Sequence, residues 1–394
     1  MSKSKLVQIY DELCLTSVFY EVMKKPLFQA FSAYVKETDE DEKRKRYATF
    51  VSCVYAGGGS LTELVKKEIS EDENVYVKGV AHGQKIRACV ESSAKRELTA
   101  FSAFGALTPS DFALDMGVDG ALLPAFDSVK ADMVAFYRKR LKGLQKYGYG
   151  IFSSHGMFRL SDDKQIEPIV SADKIKMDSF VGYEEEREKV VANTRAFVEG
   201  RPAANTLLCG DAGTGKSSTV KAVANAFFDE GVRLIELRKD QLSLLPFVMG
   251  KISGNPLKFI LFIDDLSFNQ NDDNFSMLKA ALEGSASAKA ENAVIYATSN
   301  RRHIVKENFG DRDGDDVHRN DTLQETLSLS ERFGLVVLFS KPSKQLYLEI
   351  VCELAQKYKL DIPRERLEIE AEAFALRKGS RSARCAEQFI DSLL

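Results

Sequence analysis

Between Lys5 and about Gly150 apolar positions recur at helical spacing, first as Leu6, Ile9, Tyr10 and Leu13 and later as Met133, Phe136, Tyr137 and Leu141, while Lys and Glu fill the opposite faces. The pattern predicts a mainly helical N-terminal domain. The run Asp39-Glu40-Asp41-Glu42-Lys43-Arg44-Lys45-Arg46 balances its own signs and reads as a solvated loop leading into a helix. Gly57-Gly58-Gly59-Ser60 lacks the lysine that a phosphate cradle needs; with Glu63 it reads as a turn followed by an S-x-x-E capping box. The helical period breaks at Tyr147-Gly148-Tyr149-Gly150-Ile151-Phe152, and the polar stretch from Ser161 to Lys176 reads as a connector, which puts a domain boundary near residue 165.

Past that point short apolar runs alternate with helical stretches: Thr206 to Cys209, Val232 to Leu237, Phe259 to Ile263, Val294 to Ala297 and Leu335 to Phe339. Continuous β-branched and aromatic runs of this length are the mark of buried parallel strands. The fold class expected is therefore α/β, a parallel sheet flanked by helices. Helical periodicity returns from Ser343 to Leu394. The expected division is a mainly helical domain over 1–165, an α/β core over 166–341 and a helical lid over 342–394.

Composition adds mostly exclusions. With 394 residues, 44% hydrophobic and 29% charged, the chain is long enough for two or three domains and is neither disordered nor fibrous. A net charge of -3 gives no global basic field for nucleic acid or anionic lipid, leaving room only for a local patch. The six cysteines show no C-x-x-C pair, so neither a zinc spacing nor a disulfide framework is visible, and free thiols suit a reducing compartment. Asp11 and Glu12 interrupt what a secretory signal would keep apolar, and the longest apolar runs are too short for a membrane span. A cytoplasmic, soluble protein is expected. His82, His155, His303 and His318 have no ligand spacing, so no histidine-bound metal is expected.

The chemistry concentrates in the second half. Gly210-Asp211-Ala212-Gly213-Thr214-Gly215-Lys216-Ser217 matches G-x-x-x-x-G-K-[ST] and lies between a predicted strand and a helix opening at Ser218, the two contexts a phosphate-binding loop requires. Glycines let successive N–H groups turn inward onto phosphate oxygens, and the helix N-terminus adds partial positive charge. Lys216 is expected to reach the β- and γ-phosphates of ATP and Ser217 to ligate Mg²⁺. Lys258-Phe259-Ile260-Leu261-Phe262-Ile263-Asp264-Asp265 is a buried-strand pattern that delivers two carboxylates to the C-terminal edge of the sheet. Asp264 is expected to hold the metal and Asp265 to polarise the attacking water. A third strand ends in Thr298-Ser299-Asn300, where the Asn300 amide can position phosphate and water.

In that order, and with Ser330-Glu331-Arg332-Phe333-Gly334 and Gly379-Ser380-Arg381-Ser382-Ala383-Arg384 following, these motifs resemble those of the AAA+ ATPases over about residues 174–394. Phe180-Val181-Gly182-Tyr183-Glu184 resembles the adenine-side box that precedes the core in that class, which implies nucleotide contacts for Val181 and Gly182. Within the class the chain is most similar to a bacterial group of predicted AAA+ ATPases carried as a domain of unknown function (DUF 815), a group that also has a helical N-terminal region. The resemblance implies that Asn300 is the first sensor, that Arg332 reaches the γ-phosphate of a neighbouring subunit in a homo-oligomer, and that Arg384 touches the nucleotide from the lid, with Arg381 as the alternative. Many members place Glu after the metal-binding Asp, whereas this chain has Asp265; replication initiators and helicase loaders share the Asp-Asp pair. Phe247-Val248-Met249-Gly250 has a pore-loop composition, yet Leu242, Leu245 and Met249 fall at helical spacing, so packing is expected. Arg301-Arg302-His303 reads as a solvated loop, and Arg312 and Arg319 as weaker finger candidates than Arg332. The expected function is Mg-dependent ATP binding and hydrolysis coupled to conformational work on a protein or nucleic-acid client, loader- or remodeller-like. The alternative is a nucleotide-gated switch with little intrinsic hydrolysis.

Overall fold

The computed structural model describes residues 4–171, 175–266, 277–280, 282, 291–300 and 332–394. The chain divides into two compact units, Met1–Ser154 and His155–Leu394.

The first unit is helical, as its periodicity predicts, with α1 (Lys5–Leu13), α2 (Pro26–Lys36), α3 (Glu40–Ala56), α4 (Leu61–Glu71), α5 (Val75–Ala81), α6 (Ala88–Gly105), α7 (Pro109–Met116), α8 (Met133–Lys142) and the single turn α9 (Leu144–Tyr147). Its core is aromatic. Phe31 packs against Phe50, Phe104 and Phe112 with ring centroids 4.8 to 6.4 Å apart, a tilted and edge-on arrangement that favours the ring quadrupoles. The buried Glu97 of α6 is satisfied by the backbone, accepting from the N–H groups of Ser17, Val18 and Phe19 at 2.9 to 3.1 Å. The charged run Asp39 to Arg46 differs from the loop expected of it: it is the opening of α3 itself, capped by Asp39, with acids in the first turn and i,i+3 pairs from Asp41 to Arg44 and Glu42 to Lys45. Acids at the positive helix end followed by bases one turn on is the order that a helix dipole favours. Ser60 caps α4 by accepting from the Glu63 N–H, but the Glu63 carboxylate turns to Lys66 and leaves the reciprocal half of the box unmade.

The second unit carries a seven-stranded sheet. Its strands are β1 (Met157–Leu160), β2 (Ile166–Pro168), β3 (Thr206–Gly210), β4 (Val232–Leu237), β5 (Lys258–Ile263), β6 (Ala293–Ser299) and β7 (Leu335–Phe339), in the spatial order β2-β1-β4-β5-β6-β3-β7. Every pairing is parallel except β1 with β2. The five runs read from the sequence all form strands of the parallel sheet. The short β1 and β2 extend it beyond β4, so the division falls before residue 165, and the start of the expected connector is the turn of a hairpin closed by Ser161 N–H donating to Gln165 C=O at 2.8 Å. Around the sheet lie α10 (Glu184–Val198), α11 (Lys216–Ala226) and α12 (Leu245–Ile252). Phe247 to Gly250 belongs to α12, as the helical spacing predicts.

Two separate apolar clusters divide this unit. One joins the sheet to α10 and α11 through Val190, Leu208, Val220, Ile260 and Tyr296; the other binds the C-terminal helices α13 (Lys344–Lys357), α14 (Arg364–Lys378) and α15 (Ala383–Asp391) through Tyr347, Val351, Ala371 and Phe389. This is the architecture expected of the AAA+ class: a P-loop α/β core, a C-terminal helical unit and a separate helical N-terminal unit. The reversal of strand order beside β3, with β6 on one side and β7 on the other, is the place where open α/β sheets form a ligand crevice. Among the described residues no helix is long and apolar enough to cross a membrane.

Candidate functional site

The loop after β3 sits at that reversal. Gly210, at φ 134°, brings its backbone so close to β7 that an added Cβ would lie 2.0 Å from the Phe339 carbonyl oxygen, so no larger residue fits. Gly215, at φ 88°, is the N-cap of α11 in the left-handed region. From Ala212 through the first turn of α11 to Ser218, no backbone N–H has a hydrogen-bond partner among the described residues. These donors open a helix N-terminus onto a cleft of about 430 Å³, whose walls include Phe180, Val181, Lys216, Asp264, Asn300 and Arg384. Unpaired N–H groups at the positive end of a helix form an anion site.

Side chains from three segments, the start of α11 and the ends of β5 and β6, converge beneath the loop. The buried Lys216 ammonium donates to the carbonyls of Gly210 at 3.1 Å and Asp211 at 2.6 Å and to Asn300 Oδ1 at 3.1 Å. Burial pulls its pKa below the usual lysine range, with the charges of Asp211, Asp264 and Asp265 opposing. The Ser217 hydroxyl donates to Asp264 Oδ1 at 2.6 Å, so residues 47 positions apart in sequence present adjacent oxygens. Hydroxyl and carboxylate oxygens are the donor set that Mg²⁺ takes together with phosphate oxygens. Among the described residues no cluster of three or more His, Cys, Asp or Glu side chains is arranged to hold a metal by itself. The residues present therefore fit a nucleotide with Mg²⁺: N–H donors for phosphate, the Lys216 cation beside them, and a hydroxyl–carboxylate oxygen pair for the metal.

Sequence reasoning missed Thr298. Its hydroxyl donates to the same Asp264 Oδ1 and accepts the Asp265 N–H at 2.9 Å. Asp265 itself has φ 52°, the left-handed region, and its carboxylate accepts from Asn300 Nδ2 at 2.7 Å. Asp264 thus faces Ser217 while Asp265 is turned toward Asn300, two carboxylates with separate partners.

On the opposite wall the box around Gly182 opens α10. Tyr183, at φ 59°, donates its hydroxyl to the Ser340 carbonyl at 2.6 Å, and Arg187 is buried over the Phe180 ring at 5.2 Å, its pKa lowered by that burial. Neither residue was singled out from the sequence, although Arg187 lies on the apolar face of α10 with Val190 and Phe197, an unusual place for a cation. From α15, Arg384 lines the cleft and its N–H donates to the Gly213 carbonyl at 3.2 Å. Arg381 is instead paired with Glu372 of α14, which leaves Arg384 as the arginine facing the loop. Arg332 lies outside the cleft lining, next to the buried Phe333. Ser267, Phe268, Arg301, Arg302, His303, Arg312, Arg319 and the stretch from Leu327 to Glu331 lie outside the described residues.

The family model described as "Protein of unknown function (DUF815)" matches residues 153–394. No curated protein matches the chain. Among solved structures the chain is similar to the Thermotoga maritima RuvB Holliday junction branch migration motor, at 14% identity over 56% of this chain and 72% of that one, with a TM-score of 0.34. A mutant form of the same protein gives 14% identity, 56% and 73% coverage and a TM-score of 0.36.

Proposed function

The chain belongs to the DUF815 family, and from that premise and the cleft we propose that it binds Mg-ATP and hydrolyses it to do conformational work on a macromolecular partner. The observation that carries the reading is the convergence of Lys216, Ser217, Asp264 and Asn300 below a row of unpaired backbone N–H groups. When bound, Mg-ATP supplies a polarised γ-phosphoryl group and an electrophilic phosphorus. The amides from Ala212 to Ser218 hold the phosphates; Lys216 exchanges its carbonyl partners for phosphate oxygens; Ser217 and Asp264 hold the metal. Val181 lines the nucleotide side, with Gly182 behind it against Leu346 and outside the lining, and Arg384 brings a cation from the helical lid. Asn300 and Asp265 orient water, and Asp265 accepts its proton.

One observation favours slow turnover. Asp265 is held by Asn300 through a 2.7 Å hydrogen bond and is one methylene shorter than Glu, so it must leave that partner to reach water. Turnover that stays low with and without a client is the outcome expected of the alternative, a nucleotide-gated switch using the same site. The test is Lys216→Ala: calorimetric titration with ADP and ATP is expected to show binding by the native chain and at least about a hundredfold weaker binding by the variant, in keeping with loss of a charge-assisted contact in a desolvated site. Equal affinities would remove the site.

A further inference from the structure

The basic side chains of the N-terminal unit fall into two populations. Over much of its surface a lysine holds a carboxylate: Lys5 with Asp111, Lys43 with Asp115 and Lys66 with Glu63 at 2.7 Å, Lys78 with Glu73 at 2.9 Å. At one end that pairing stops. Lys85, Arg87, Arg138, Lys139, Lys142 and Lys146 are exposed, and none has a carboxylate within ion-pair distance among the described residues.

They share that end because α6 and α8 run antiparallel. The Met133 N–H, at the start of α8, donates to Ser102 Oγ near the end of α6 at 2.9 Å. At the other end Arg138 and Glu91, the latter in the first turn of α6, both act electrostatically on the Tyr76 hydroxyl of α5. The loop carrying Lys85 and Arg87 folds onto α5 through the Gln84 N–H, which donates to the Gly79 carbonyl at 2.8 Å, and then enters α6. The C-terminal half of α8 and the start of α6, which the α5–α6 loop enters, therefore lie toward the same end of this unit. Glu91 is an exposed acid in the first turn of α6; Glu73, paired with Lys78, lies near Gly150 past α9, Asp72 is buried on Asn74, and Asp132, at the far end of α8, is engaged in capping Val134 and Ala135.

Local helix electrostatics explains part of this charge and opposes the rest. Lys139 and Lys142 sit in the last turn of α8, where the dipole favours cations. Lys85 and Arg87 precede the first turn of α6, where the dipole disfavours them, and Arg87 occupies the N-cap without a side-chain capping bond. Within a chain of net charge -3, the stretch from Lys130 to Lys146 holds six bases against the single acid Asp132. Bare, separated cations that outnumber the acids near them suit repeated phosphates; protein partners select surfaces with an apolar centre and few lysines.

We propose that this end of the N-terminal unit is a nucleic-acid surface, which grips the phosphodiester backbone through Lys85, Arg87, Arg138, Lys139, Lys142 and Lys146 without reading base sequence. The surface lies outside the stretch matched by the family model and acts independently of the nucleotide cleft. The experiment titrates the full chain, without nucleotide, into a labelled DNA duplex of about 20 base pairs and into its single strand, over roughly 50 to 200 mM salt. Fluorescence anisotropy reads the affinity. The native chain is expected to bind with a log-log salt slope that becomes shallower by about 0.7 to 0.9 for each phosphate contact removed. The variant Arg138→Gln/Lys139→Gln/Lys142→Gln is expected to lose at least tenfold in affinity at low salt with unchanged circular dichroism. The control Lys45→Gln/Lys66→Gln, which removes paired lysines, is expected to keep native binding. Equal binding by the triple variant, salt-independent binding by the native chain, or preference for a labelled polyglutamate peptide over both nucleic acids each overturns the proposal.

Discussion

Thr298 shows how much one hydroxyl can organise. It donates to Asp264, accepts from the Asp265 N–H, and so fixes a non-glycine residue at φ 52°, a conformation that costs an L-residue about 1 kcal/mol. Thr298→Val keeps the shape and removes both bonds; thermal or denaturant unfolding is expected to show a loss of about 1 to 3 kcal/mol, with Thr298→Ser close to native. A valine variant as stable as the native chain would mean that Asp265 is held by other means. The glycines, Lys216, Ser217 and the paired aspartates were legible because phosphate chemistry constrains residue type and spacing together. Thr298 was legible only in part: two positions before Asn300, it falls on the same strand face, but a threonine in a β-strand is ordinary and nothing in the sequence marks its partners. Asp72, in the other unit, is a second such case. Burial pushes its carboxyl up to about 6, against the bond it accepts from Asn74 at 2.8 Å. The folded chain thus keeps a proton that the unfolded chain releases near pH 4, so the Asp72 contribution is complete below about pH 4 and is lost as pH rises through about 6. Asp72→Asn keeps an acceptor for Asn74 and is expected to gain about 1 to 2 kcal/mol at pH 7, allowing for partial solvent screening, and nothing at pH 4. Unfolding curves at the two pH values check the sign.

At the scale of elements, the five strands that stand as mostly apolar runs between helical stretches were readable, whereas β1 and β2 were not. With four and three residues, and with polar neighbours, they owe their extended state to pairing with β4 and with each other. The link from β7 to α13 was equally silent in the sequence, yet it is tied on both sides. The Asp211 N–H donates to the Phe339 carbonyl at 3.1 Å and its carboxylate accepts the Lys341 N–H at 2.9 Å, while the Tyr183 hydroxyl holds the Ser340 carbonyl. Asp211 also offers its own carbonyl to Lys216, so the phosphate-binding loop and the lid connection share one residue. Asp211→Ala is expected to weaken ADP binding about fivefold, the worth of about 1 kcal/mol for one backbone-anchoring bond, and Asp211→Asn, which still offers an acceptor oxygen, to stay within about twofold of native. Isothermal titration of both variants decides; equal losses would assign the effect to charge instead of to the tie.

For the whole molecule, the family match begins at residue 153, beside the division between the units at Ser154, so the ATPase-like part and the helical part are separable in both sequence and structure. ATP hydrolysis needs cations placed against the negative γ-phosphoryl oxygens in the transition state, and the arginines lining the cleft are Arg187, buried beside Phe180, and Arg384, on the lid. Arg332 is outside that lining. If it acts across subunits, Arg332→Ala binds ATP with native affinity and loses about a thousandfold or more in turnover. Mixing then separates this from damage to the residue's own subunit. Lys216→Ala chains cannot bind nucleotide but still carry Arg332, so adding them to Arg332→Ala chains is expected to restore turnover in mixed assemblies, each intact cleft being completed by a neighbour's arginine. Steady-state phosphate release across mixing ratios, with sedimentation to follow assembly, gives the answer. Native turnover by a monomeric Arg332→Ala chain, or mixtures no more active than their parts, would place the charge for hydrolysis within a single subunit and leave Arg384 to supply it.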